Sequence, residues 1–112
     1  MDYTMDDLTK EQKYLLISMY QEIVSQREKS NNINANYFAD SSEVKKMFLP
    51  NASIDQVSDI CWRLKAKDYL NCSPGDNLAN DIVLTEKTII CMENRFRNNL
   101  KSIIEFLISI KP

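Results

Sequence analysis

Ser53-Ile54-Asp55-Gln56-Val57-Ser58-Asp59-Ile60-Cys61-Trp62-Arg63-Leu64-Lys65-Ala66-Lys67-Asp68-Tyr69-Leu70 decides the reading of this chain. Ser53 and Gln56 stand three apart. At that spacing a hydroxyl and a glutamine side chain satisfy each other's orphan backbone donors at a helix start. Ile54, Val57, Ile60, Cys61 and Leu64 then share one face of a helical wheel. Asp55, Gln56, Asp59, Arg63 and Lys67 share the opposite face, with Trp62 at the border. Tyr69-Leu70-Asn71-Cys72 is strand-like, and Ile82-Val83-Leu84 gives a returning strand. Between them Pro74-Gly75 suits the centre of a type II turn, where glycine supplies the positive φ.

Working outward, Thr9-Lys10-Glu11-Gln12 is a second capping box and opens a first helix over residues 9–28. Leu8, Leu15, Leu16, Met19, Tyr20, Ile23 and Val24 recur along it at helical spacing. Ser30-Asn31-Asn32-Ile33-Asn34 reads as a loop. Asn36-Tyr37-Phe38 is either a short strand or the lead into the next helix. Asp40 and Glu43 offer a third box, Val44, Met47, Phe48 and Leu49 a short apolar face, and Pro50 its stop. Pro50-Asn51-Ala52 is then the turn of a helix-turn-helix spanning 41–67, followed by a hairpin over 69–84.

Thr85 caps a final helix expected to run unbroken over 85–110. Phe96, Leu100, Ile103, Leu107 and Ile110 are spaced four, three, four, three along it, a short heptad seam. Ile104, Phe106 and Ile108 widen that seam until the last turns are apolar nearly all round. Such a helix cannot be left in water, so it either folds back on the core or packs against another chain.

Composition narrows the function. With 112 residues, 44% hydrophobic and 27% charged, the chain is one globular domain. No apolar run approaches a membrane span, and the acidic start Met1-Asp2-Tyr3-Thr4-Met5-Asp6-Asp7 is unlike a signal peptide, so a cytoplasmic location is expected. There is no histidine, which removes Ser-His and Cys-His nucleophilic sites and the commonest zinc ligand. A single glycine leaves no phosphate-cradling loop. Cys61, Cys72 and Cys91 form no C-x-x-C pair and read as free thiols. No catalytic residue, metal site or cofactor is therefore expected, and an enzyme is disfavoured.

Net charge is −2, and its distribution is uneven. Residues 1–40 hold seven acids against four bases, and residues 71–94 hold four acids against Lys87 alone. Residues 41–70 carry five bases against four acids. Residues 95–112 carry Arg95, Arg97, Lys101 and Lys111 against Glu105. Positive charge thus gathers at the end of the third helix and in the C-terminal segment.

The element order is that of an α+β, mainly helical winged helix-turn-helix with a two-stranded wing. The stretch Val57–Leu70 resembles the recognition helix and following strand of bacterial winged-helix regulators of the MarR and PadR kind, and of small YjcQ-like proteins. Their pattern there is V-S-x-x-L-x-x-L-x-x-x-G-Y-I/L. Leu84-Thr85-Glu86-Lys87 resembles the L-T-x-K-G at which those families leave the wing. The likeness covers roughly residues 42–90. Asp68 and Thr88 stand where the families have glycine, and residues 73–81 lack the basic group that many DNA-binding wings carry.

The resemblance implies sequence-specific binding of double-stranded DNA by a homodimeric transcriptional regulator, its third helix in the major groove. Gln56 and Arg63 would read adenine and guanine. Lys67 would meet a phosphate, with Ser53 and Ser58 near phosphates at the helix start. Phe96, Leu100, Ile103, Leu107 and Ile110 would form the dimer interface. The alternative is a winged-helix module that binds another protein, as an antirepressor, inhibitor or adaptor. Asp55 and Asp59 on the outer face and the wing without bases favour it. Continuity of positive charge over Arg63, Lys65, Lys67 and the C-terminal arginines separates the two.

Overall fold

Helix α1 (Lys10–Ser30) begins where its cap is written. The Thr9 N–H donates to Gln12 Oε1 and the Gln12 N–H to Thr9 Oγ1, both at 3.1 Å. The computed structural model describes residues 5–30 and 36–111; residues 31–34 of the expected loop lie outside them. Strand β1 (Tyr37–Asp40) follows, then α2 (Ser41–Phe48) and α3 (Ile54–Ala66). Strands β2 (Leu70–Gly75) and β3 (Leu78–Leu84) lead to α4 (Glu86–Phe96) and α5 (Leu100–Ile110). The fold is α+β and mainly helical, with one antiparallel sheet in the order β1-β3-β2 among the described residues.

Asn36-Tyr37-Phe38 takes the strand alternative. Tyr37 pairs with Val83 and Phe38 with Ile82, so the sheet has three strands where the hairpin reading expects two. Asn36 extends the ladder with its side chain, donating to the Leu84 carbonyl at 3.1 Å and accepting from its N–H at 3.0 Å.

The hairpin turn differs from expectation. Gly75 belongs to β2, and no glycine has a positive φ. The two-residue turn is Asp76-Asn77, at φ 54° and 64°, the signature of a type I′ turn that matches strand twist. A type II turn at Pro74-Gly75 would splay the strands. Gly75 has a different reason to be small: a Cβ there would sit 2.2 Å from Asn80 Nδ2, which donates to the Gly75 carbonyl at 2.9 Å.

The expected helix over 85–110 is two helices. Arg97 and Asn98 both adopt left-handed backbone, at φ 52° and 57°, and Asn99 caps α5 by accepting from the Ser102 N–H. The break folds α5 back along α1, the most extensive helix-to-helix contact in the molecule. Tyr20 fixes the corner by donating its hydroxyl to Asn98 Oδ1 at 2.6 Å. Arg95 lies over the Phe106 ring, 4.5 Å from its centroid, and ties the two helices together.

The heptad seam is consequently spent inside one chain. Phe96 and Ile103 are buried in the core, and Leu100, Leu107 and Ile110 pack half-buried against it. The apolar side chains that α5 leaves exposed are Ile104 at 40% and Ile108 at 71%.

Candidate functional site

Helix α3 carries the sequence-designated face, and its start is built as expected. The Gln56 N–H donates to Ser53 Oγ at 3.1 Å, and the Ser53 N–H to Gln56 Oε1 at 2.8 Å. Ser53 is therefore occupied as the helix cap. Gln56 keeps only its Nε2 hydrogens for a partner.

At its other end the helix stops in a Schellman arrangement. The Asp68 N–H donates to the Lys65 carbonyl and the Tyr69 N–H to the Leu64 carbonyl, both at 2.9 Å. Asp68 takes φ 67°, the conformation glycine would supply at this point of the family pattern. Thr88, the other departure, is buried and donates to the Tyr69 carbonyl at 2.8 Å. Asp68 thus supplies the left-handed backbone at the helix end, and Thr88 a buried hydrogen bond in the first turn of α4.

Ser58 is not at the surface. It is 4% exposed and accepts from the Ala79 N–H at 2.9 Å. Ser41 Oγ donates to the carbonyl of the same Ala79 at 2.6 Å. Strand β1 pairs no further along β3 than Asp40 with Asn80. Two helix serines thus complete the ladder beyond it, one from α2 and one from α3. Ser58 positions α3 on the sheet and cannot touch a phosphate, which corrects its expected role.

The outer face of α3 is open to solvent along Asp55, Gln56, Asp59 and Arg63. Arg63 Nε donates to Asp59 Oδ2 at 2.8 Å, with both side chains about three-fifths exposed. That hydrogen bond, and then the charge of Asp59, raise the guanidinium pKa further. Lys65 donates to the Cys72 carbonyl at 2.7 Å and lies 5.4 Å from the Trp62 ring centroid. Lys67, the cap of the helix end, donates to the Asp7 carbonyl. All three bases at the end of α3 are directed onto their own chain.

Asp7 also accepts from the Tyr69 hydroxyl at 2.8 Å. Burial first and that hydrogen bond second hold the phenol well above its ordinary pKa. Met5, wholly buried at φ 65°, anchors this N-terminal segment.

The wing adds acid. Asp81, at φ 52° in the irregular register opposite Asn71 and Ser73, accepts from Tyr37 at 2.8 Å and from Ser73 at 3.0 Å. Asp76 is exposed at the tip. The C-terminal arginines lie elsewhere: α4 packs on α1 and α5, whereas α3 packs on α2, β2 and β3. Asp55 and Asp59 on α3 and Asp76 and Asp81 on the β2–β3 hairpin are all exposed acids.

Sequence reasoning missed a groove beside this face. A space of about 550 Å³ opens between the first turns of α1, the α2–α3 turn and the end of α5. Its walls include Glu11, Tyr14, Met47, Asn51, Gln56 and Lys111. Met47, placed on the apolar face by spacing, is 39% exposed there.

The cysteines offer no activated thiol in this region. Burial, with Cys72 nearby, pushes the Cys61 pKa up to about 12. Burial also raises that of Cys72, partly offset by Lys65. None of the described helices is long and apolar enough to cross a membrane. No protein-family model, curated protein or solved structure matches the chain, so the functional reading rests on the chemistry of the surface itself.

Proposed function

We propose that this chain is a winged helix-turn-helix protein that acts by holding another protein against α3 and the wing. The order α1-β1-α2-α3-β2-β3, with a hairpin after α3, supports the fold assignment. One observation carries the functional reading: Asp59 neutralises Arg63 on the exposed face while Lys65 and Lys67 are turned back on the chain. A face of paired charge, amide and half-buried indole suits a protein surface better than a phosphate-lined groove.

The second reading is DNA recognition as a transcriptional regulator, with Arg63 and Gln56 in the major groove. It is favoured by the solvent-open polar face that α3 presents beside the hairpin. Self-association would fall to Ile104 and Ile108, because Phe96 and Ile103 are already buried.

Titration against a pool of random duplexes at two salt concentrations separates the readings. No retention at low salt is the expected result. Enrichment of a palindromic site, with affinity falling as salt rises, would overturn the protein-binding reading and select the regulator. On the same protein, a photo-crosslinker at Asp55 should join a partner, and Asp59→Arg should abolish that product.

A further inference from the structure

We propose that the groove between α1, the α2–α3 turn and the end of α5 is a binding site for an extended peptide. The peptide would carry one apolar anchor residue between a basic and an acidic one. The volume, about 550 Å³, lies within the range of small-ligand sites, and the space is a groove half open to solvent, as an extended chain needs. Its apolar wall pairs the half-buried Tyr14 ring with the 39% exposed Met47. A thioether side chain on such a surface adapts to anchors of differing shape.

The polar groups specify the ligand. Gln56 Oε1 is held by the Ser53 N–H, which leaves its Nε2 to donate. Asn51 brings a side-chain amide, with a donor and an acceptor that match those of a peptide bond. Glu11 and Lys111 stand on the walls with opposite charges, complementary to one base and one acid on the ligand. A purely anionic or purely cationic molecule would meet a like charge at one of them.

The groove also touches the turn that sets α3 on α2, and Gln56 borders both the groove and the exposed face of α3. The site stands whether α3 meets protein or DNA. Failure of either functional reading is therefore distinguishable from failure of the groove.

The probes are the synthetic pentapeptides Lys-Ala-Phe-Ala-Asp and Asp-Ala-Phe-Ala-Lys, titrated to millimolar concentration into 15N-labelled full chain. Expected are amide shifts confined to residues near 11–14, 47–56 and 111 for one of the two orders. Met47→Asp, at an exposed position, should weaken that binding by about tenfold or more through loss of the apolar anchor contact. Lys111→Glu should weaken it too, and replacing the peptide's acid with lysine should restore binding to that variant. Absence of localised shifts with both peptides overturns the proposal, as does binding that Met47→Asp leaves unchanged.

Discussion

The hydroxyl of Ser58 accepts from the backbone N–H of Ala79 at 2.9 Å, in a space sealed between α3 and β3. With Ser41 bonded to the Ala79 carbonyl, one strand residue holds both α2 and α3. A buried donor stripped of its acceptor loses its full desolvation energy. Ser58→Ala should therefore destabilise the fold by about 1–3 kcal/mol. An unchanged midpoint in urea would remove this bond from the account.

Arg63→Ala should behave in the opposite way. The Arg63–Asp59 pair is exposed, so thermal melting should not move measurably. Crosslinking to a protein partner should fall. A clear loss of melting temperature would mean that the pair supports the fold.

Two αL residues in succession make the β2–β3 turn sensitive to side-chain shape. Asn77→Gly should raise the melting temperature slightly, since glycine adopts positive φ without steric cost. Asn77→Val should lower it, a β-branched side chain being strained there. Equal melting of the two variants would argue against a type I′ turn.

Stability should be flat towards pH 9 and fall above it. Burial first, then the charge of Glu93 against an opposing effect of Arg27, lifts Tyr20 to about 12 from an ordinary 10.0. Cys61 rises to about 12 from 9.0. In both, the folded chain keeps its proton after the unfolded chain has lost it. Rising pH therefore favours unfolding from about pH 9 for Cys61 and pH 10 for Tyr20. Urea midpoints at pH 8, 10 and 11 check this; a midpoint that climbs over that range would show the sign to be wrong.

The α4–α5 corner predicts a change of assembly. Replacing Arg97, Asn98 and Asn99 together with alanine removes two αL residues and a cap, and favours one straight helix. Straightening would lift α5 off α1 and expose the apolar face of α1 that it covers. The variant should then appear as an exchanged dimer by light scattering, each α5 covering the partner's α1. A monomer with α5 still docked would show that packing alone bends the chain.

What could be read from the residues was local. The caps at Thr9, Asp40, Ser53 and Thr85 each depend on neighbours three positions away, and each forms. The α+β class followed from those starts and the apolar strands. The corner at Arg97-Asn98 was hidden because the spacing of Phe96 and Leu100 continues a helical period across it. Two consecutive asparagines were the available signal, since asparagine tolerates αL and caps helices. Ser58 reads as surface beside the charged Asp59 until a strand is found behind it. Nothing local marked the groove, whose walls come from both ends of the chain.

That last arrangement has an engineering consequence. Glu11 and Lys111 line one groove, so the two ends of the fold lie side by side. A linker from Lys111 to Met5, which keeps the buried Met5 and the contacts of Asp7, could close the backbone into a ring, which could be reopened between Asp76 and Asn77. The circular permutant should keep every helix and move the new ends to the tip of the β2–β3 hairpin. Fluorescent or affinity labels there would report directly on what approaches α3.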